Sequence, residues 1–106
     1  MKEYSVQELK SALDAEKELQ LIDIHEPWEI EVCSIAGAQQ IPMGEILTRA
    51  SELKKEIPVV IQCRSGGRSA NVVNALEMQL GLENLYNLNG GILAWADQID
   101  TSLEKY

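Results

Sequence analysis

Short hydrophobic runs alternate along this chain with segments in which apolar residues recur every three or four positions. The runs at residues 21–24, 59–62 and 85–88 predict short buried strands, and residues 35–42 bracket a brief extended piece. Spaced apolar residues between these runs predict helices. Because strands alternate with helices, the pattern predicts an α/β fold with a mainly parallel sheet and helices on both faces.

The predicted helices carry recognisable start and stop signals. The segment from Ser5 to Glu8 has the form of a capping box, and the apolar residues after it predict a first helix of about three turns. Glu26 and Pro27 indicate a second helix start, whereas residues 43–53 are helix-like but broken. A third helix is predicted over residues 69–80, with Gly81 as its C-cap. Its apolar stripe is Ala70, Val73, Leu76 and Leu80, and the last helix carries Ile92, Trp95 and Ile99.

Composition limits the possible functions. The 106 residues predict one domain spanning residues 1–106, with an ordinary hydrophobic content of 45%. The net charge of −8 argues against nucleic acid and anionic lipid as partners, and no apolar run approaches the roughly 20 residues that cross a membrane. The start of the chain has no apolar signal region, so the predicted location is cytoplasmic. Two cysteines and one histidine are too few for a zinc site, and no cofactor is predicted.

The candidate chemistry lies in one segment, which we call the cysteine loop: Cys63, Arg64, Ser65, Gly66, Gly67, Arg68 and Ser69. It joins a predicted strand to a predicted helix, so backbone N–H groups and the helix dipole converge there on one point and favour an anion. The two glycines allow a tight turn. Two of the three arginines in the chain lie in this segment and suit oxyanions. We therefore expect Cys63 to be held as a reactive thiolate.

Four segments resemble, in order, the signatures of the rhodanese family of sulfurtransferases, in its small single-domain form. They are residues 21–29 (LIDIHEPWE), residues 35–42 (IAGAQQIP), the cysteine loop itself, and residues 88–95 (LNGGILAW). The chain departs from the family pattern in two places. The family often has arginine where this chain has His25, and often Gly-His where it has Cys33 and Ser34.

The resemblance implies a five-stranded parallel sheet flanked by helices, with Cys63 carrying a persulfide. The implied reaction moves a sulfur atom from a small anionic donor, such as thiosulfate or a persulfide, to a thiol or protein acceptor. Cys63 would be the catalytic nucleophile, and the remaining residues of the cysteine loop would bind the substrate. The two arginines favour a doubly charged donor.

Two other functions are compatible with parts of this pattern. Cysteine phosphatases and arsenate reductases also place a cysteine and an arginine at a helix start, but with five intervening residues rather than the four between Cys63 and Arg68. Non-catalytic binding modules use the same scaffold, but commonly lose the cysteine or the loop.

Five further side chains are predicted to be structural. We expect His25 and Asp23 to make local hydrogen bonds near the carboxyl edge of the sheet rather than to act as acid or base. Cys33 is predicted to be a small packing residue that takes no part in the mechanism. Trp28 and Trp95 are predicted to be core or pocket-wall residues.

Overall fold

The computed structural model describes residues 1–105 and has a five-stranded, fully parallel sheet. The strand order across the sheet is β1-β5-β4-β2-β3. The strands are β1 (Glu3–Tyr4), β2 (Gln20–Asp23), β3 (Gln39–Gln40), β4 (Val59–Gln62) and β5 (Leu85–Leu88). The predicted α/β fold with a five-stranded parallel sheet is therefore confirmed.

Four α-helices and two short 3-10 helices connect the strands. The α-helices are α1 (Val6–Asp14), α2 (Pro27–Val32), α3 (Gly67–Leu80) and α4 (Gly91–Gln98). The 3-10 helices span Met43–Glu45 and Ala50–Glu52, so the segment predicted as a broken helix consists of two separate single turns. Among residues 1–105, no helix has the length and apolar character to pass through a bilayer.

The sheet separates two hydrophobic clusters because side chains alternate between its faces along each strand. On one face, Val59 and Ile61 of β4 pack with Val73 and Leu76 of α3. On the other face, Val60 packs in a cluster contributed largely by α1 and α4: Val6, Leu9, Leu88, Ile92 and Trp95. Helices therefore cover both faces, as the sequence pattern predicted.

Local signals placed several element ends correctly. The capping box is present: Glu8 N–H donates to Ser5 Oγ at 3.0 Å, and Ser5 N–H donates to Glu8 Oε1 at 3.0 Å. Pro27 begins α2 with Glu26 as its N-cap. Gly81 ends α3 in the left-handed conformation, at φ +66°. Each of these signals depends on residues within one turn of one another, so the sequence alone reveals them.

Other predictions were wrong in detail. Helix α3 begins at Gly67 rather than at residue 69, so Gly67 and Arg68 belong to its first turn. Leu80, predicted to lie in the buried stripe of α3, is 48% exposed. Trp28 is 60% exposed and is not a core residue, whereas Trp95 is buried as predicted. Strand β1 was not predicted, because two residues carry no recognisable pattern and the strand exists only by pairing with β5.

Candidate active site

The Cys63 sulfur lies at the carboxyl end of β4, the edge of a parallel sheet at which ligands bind. The residue is 1% exposed. Two backbone N–H groups donate to Sγ, from Gly66 at 3.1 Å and from Ser69 at 3.4 Å. The Ser69 hydroxyl oxygen is 3.3 Å from the same sulfur. Backbone N–H donors of this kind stabilise a charged sulfur.

Gly66 gives the loop its shape. It precedes α3 as the N-cap and has φ +102°, a backbone conformation that residues with a side chain rarely adopt. A Cβ at this position would also lie 3.3 Å from the Gly90 nitrogen. The turn directs the Gly66 N–H at Sγ, and α3 begins at the next residue, so that the Ser69 N–H in its first turn also reaches the sulfur.

The start of α4 supports the loop from the side of β5. Ile92 N–H donates to the Cys63 carbonyl at 2.9 Å, and Leu93 N–H donates to the Arg64 carbonyl at 3.0 Å. Gly91 lies against the same carbonyls, and a Cβ there would be 2.5 Å from the Cys63 oxygen. The last of the four signature segments therefore holds the main chain of the cysteine loop in place.

Arg68 makes a bidentate ion pair with Glu29 of α2. Its two terminal nitrogens lie 2.9 Å and 2.8 Å from the two carboxylate oxygens. Glu29 is 3% exposed and also accepts the Glu26 N–H at 2.9 Å, so one carboxylate links the start of α2 to the start of α3. Glu29 was not predicted as a site residue, since its partner lies 39 positions away in sequence.

We expect Arg68→Ala to destabilise the protein as well as the site. Loss of one partner of a buried ion pair costs about 3–5 kcal/mol, and the partial exposure of Arg68 reduces the expected loss to about 2 kcal/mol. Urea unfolding of Arg68→Ala, Glu29→Gln and the double variant measures the coupling. Lys10→Ala, which breaks the exposed Lys10–Asp14 pair, is the control and should change stability far less. Strict additivity in the cycle would show that Glu29 and Arg68 do not support each other.

The other predicted site residues differ in exposure. Ser69 is buried and contacts the Cys63 sulfur, Arg64 is half-buried, and Ser65 and Gly67 are exposed. A second residue that sequence reasoning missed, Asn87 of β5, lies behind Ser69. Its amide oxygen accepts a hydrogen bond from the Ser69 hydroxyl, and its Nδ2 donates to the Gly66 carbonyl at 3.3 Å. No motif in the sequence points to Asn87.

Asp23, the last residue of β2, and His25, two positions further on, form a buried pair. Nδ1 of His25 is 2.8 Å from Asp23 Oδ1, which also accepts the His25 backbone N–H at 2.9 Å. The predicted local hydrogen bonding of Asp23 with the backbone is thus present. Within residues 1–105, no group of three or more His, Cys, Asp or Glu side chains could hold a metal ion.

Cys33 lies on the opposite face of the sheet from Cys63. Cys33 packs with Val6, Leu9 and Ile35, whereas Cys63 belongs to the hydrophobic cluster on the other face, which includes residues of α3. Both cysteines are free thiols. Burial raises the pKa of the Cys33 thiol, and the carboxylates of Asp23, Asp100 and Glu104 raise it further. Cys33 therefore has the environment of a packing residue rather than that of a reactive thiol.

We expect Cys33→Ala to keep full sulfur transfer and the full lifetime of any Cys63 persulfide, because the sheet separates the two sulfur atoms. We also expect no Cys33–Cys63 disulfide under mild oxidation. Non-reducing peptide mapping and turnover assays check both points. A cross-linked peptide pair together with slower turnover would make Cys33 part of the mechanism.

The fold and the site define an α/β protein whose candidate nucleophile is a cysteine between a strand and a helix N-terminus. Residues 5–98 match the Rhodanese-like domain family, so the chain belongs to that family. A protein named Sulfurtransferase from Allochromatium vinosum is 43% identical over 94 residues, covering 89% of this chain and 87% of the relative. The predicted membership of the rhodanese family is confirmed.

Longer proteins and solved structures contain the same domain. Rhodanese-like/PpiC domain-containing protein 12 of Arabidopsis thaliana is 37% identical over 113 residues that cover the whole of this chain, which spans 38% of that relative's length. The crystal structure of a rhodanese-like domain protein from Staphylococcus aureus has a TM-score of 0.83 and 33% identity, covering 100% of this chain and 99% of that one.

Proposed function

We propose that this protein is a sulfurtransferase that carries a sulfur atom as a persulfide on Cys63. The observation that carries the proposal is the pair of N–H donors, from Gly66 and Ser69, directed at a sulfur at the helix N-terminus. A relative named Sulfurtransferase that matches over most of both chains supports the reaction class. The proposed donor is a small anion such as thiosulfate, and the proposed acceptor is a thiol or a protein sulfur carrier.

In the first proposed step, the Cys63 thiolate attacks the outer sulfur of thiosulfate. A sulfur–sulfur bond forms to Sγ, the sulfur–sulfur bond of thiosulfate breaks, and sulfite leaves with the electron pair. Sulfite is a stable anion, so the step needs no general acid. The N–H groups around Sγ require no rearrangement during the reaction, which is the main advantage of a preorganised site.

In the second proposed step, a thiolate or cyanide attacks the outer sulfur of the persulfide. The new bond forms to that sulfur, and Cys63 leaves as a thiolate that the same N–H groups stabilise. The cycle is therefore nucleophilic catalysis in two displacements. The role of the cysteine loop is electrostatic, and no group has to exchange a proton with the substrate.

Mass spectrometry of the intact protein tests the proposal. After exposure to thiosulfate, we expect one added sulfur atom, located on the Cys63 peptide and removed by cyanide. A persulfide donor such as glutathione persulfide should load the same residue. If no donor adds sulfur to Cys63, the proposed activity is wrong, and a binding role for this scaffold becomes the better explanation.

Arg64 is proposed to bind the donor's charge, because it lies in the loop next to Cys63 and its side chain is half-buried. We expect Arg64→Ala to raise KM for thiosulfate about ten-fold, the loss of one charge-assisted contact, while kcat changes little. KM for a persulfide donor that carries less negative charge than thiosulfate should rise less. Equal losses with both donors would show that Arg64 does not recognise the donor's charge.

A further inference from the structure

Asn87 is a residue of β5 whose buried side-chain amide contacts the cysteine loop. The residue is 4% exposed and contacts two residues of the loop. Its Nδ2 donates to the Gly66 carbonyl at 3.3 Å, and its Oδ1 accepts from the Ser69 hydroxyl. Both of those residues also contact the Cys63 sulfur. Asn87 therefore contacts two residues, Gly66 and Ser69, each of which contacts Sγ directly.

The orientation of this amide follows from its partners. The Gly66 carbonyl only accepts hydrogen bonds, so the NH2 group of Asn87 has to face it, and Oδ1 then faces Ser69. Oδ1 also only accepts, so the Ser69 hydroxyl donates to it. The Gly66 carbonyl, 3.2 Å from Ser69 Oγ, is a second acceptor within reach, but it already receives the Asn87 amide hydrogen. A serine hydroxyl has one hydrogen, which is then not available to Cys63 Sγ at 3.3 Å. Ser69 Oγ presents a lone pair to the sulfur instead.

We propose that Asn87 is a positioning residue that determines the hydrogen bonds around Cys63 by retaining the Ser69 hydrogen and anchoring the Gly66 carbonyl. Two backbone N–H groups remain as donors to the sulfur, and Ser69 Oγ accepts a hydrogen bond from the neutral thiol. This arrangement suits a persulfide, in which the outer sulfur carries the charge and Sγ needs no third donor. That consequence rests on the proposed function, whereas the hydrogen-bond pattern itself does not.

The pH dependence of Cys63 alkylation by iodoacetamide tests the proposal, measured in Cys33→Ala so that one thiol is present. If Asn87 retains the Ser69 hydrogen, Ser69→Ala leaves the pH of half-maximal alkylation unchanged or slightly lower. Asn87→Leu frees that hydrogen, for which the sulfur and the Gly66 carbonyl then compete. We expect the sulfur to gain it, so that the half-maximal pH falls by roughly one unit, because the charged form gains a hydrogen bond. In the double variant, the value returns to that of Ser69→Ala.

Three results would overturn the proposal. A rise of about one unit in Ser69→Ala would show that Ser69 already donates to the sulfur. The same half-maximal pH in Asn87→Leu and in the double variant would show that Asn87 does not act through Ser69. An unchanged value in Asn87→Leu would show that the Ser69 hydrogen does not reach the sulfur when Asn87 is removed, so that Asn87 does not determine the donors to Cys63. If Asn87→Leu does not fold, Asn87→Ala makes the same test, and a rise in Ser69→Ala overturns the proposal independently of either.

Asn84 supplies a matched control at the other end of β5. Its Nδ2 also donates to main-chain carbonyls, of Lys54 at 2.8 Å and of Ile57 at 2.7 Å, but far from the cysteine loop. Asn84→Ala should lower thermal stability without moving the half-maximal pH. An equal shift in Asn84→Ala would mean that general loosening of β5, and not the Ser69 hydrogen, changes the reactivity of the thiol.

The ionisable groups on the elements next to Cys63 are left intact by these variants. They are Arg64 and Arg68 from the loop and α3, Glu29 from α2, and Asp23 and His25 at the carboxyl end of β2. Alkylation of Cys63 does not require sulfur transfer. The experiments can therefore contradict the proposed function and the proposed role of Asn87 separately. A parent protein that takes up no sulfur contradicts the proposed function, whereas only the alkylation profiles contradict the role of Asn87.

Discussion

Cys63→Ser should abolish sulfur transfer, with a loss of roughly a thousand-fold or more in turnover with thiosulfate. A serine oxygen accepts hydrogen bonds from the same Gly66 and Ser69 N–H groups, so the geometry of the loop should be preserved. The hydroxyl is nevertheless ionised far less readily than a thiol and attacks sulfur poorly. The substitution therefore removes the chemistry while it leaves the site in place.

Turnover with cyanide as acceptor and the intact mass after loading measure this loss. Cys33→Ala is the matched control, because it removes the other buried thiol of the chain and should keep full activity. Thermal unfolding of both variants verifies that they fold. Sulfur uptake by Cys63→Ser at the parent rate would show that the nucleophile has been assigned to the wrong residue.

Gly91→Ala should strongly destabilise the protein and reduce sulfur transfer. Gly91 has φ +59°, and a Cβ there would lie 2.5 Å from the Cys63 oxygen and 2.6 Å from the Arg64 oxygen. Both oxygens already accept hydrogen bonds from the start of α4, so neither is free to move away. Backbone strain of about 1–3 kcal/mol together with this clash predicts a stability loss of about 3 kcal/mol or more. Sulfur transfer should fall with it, because the loop loses its support.

Gly81→Ala separates the two contributions to that loss. Gly81 also has a positive φ, at +66°, but a Cβ there would meet nothing within 4 Å. It should therefore cost only about 1–2 kcal/mol of conformational strain and leave turnover unchanged. Urea unfolding and turnover of the two variants test this contrast. Similar stability losses in both would show that the contact between Gly91 and the loop carbonyls is unimportant.

Local sequence patterns predicted much of the fold. The capping box at Ser5, the proline at the start of α2 and Gly81 at the end of α3 each depend on residues within one helical turn. The buried strands β2, β4 and β5 were visible as short apolar runs, because a strand covered on both faces needs apolar residues on both sides. Exposure within a helix was less predictable: Leu80 belongs to an apolar stripe that extends beyond the edge of the core.

The sequence by itself determined the α/β fold, the resemblance to rhodaneses and the cysteine loop as the candidate site, because these are written in contiguous or regularly spaced residues. The tertiary structure alone decided what surrounds that loop. Glu29 meets Arg68 across 39 positions, and Asn87 meets Ser69 across 18. These contacts exist because parallel strands bring their carboxyl ends to one edge of the sheet. Strand order and register therefore select the neighbours of Cys63, and no local pattern encodes them.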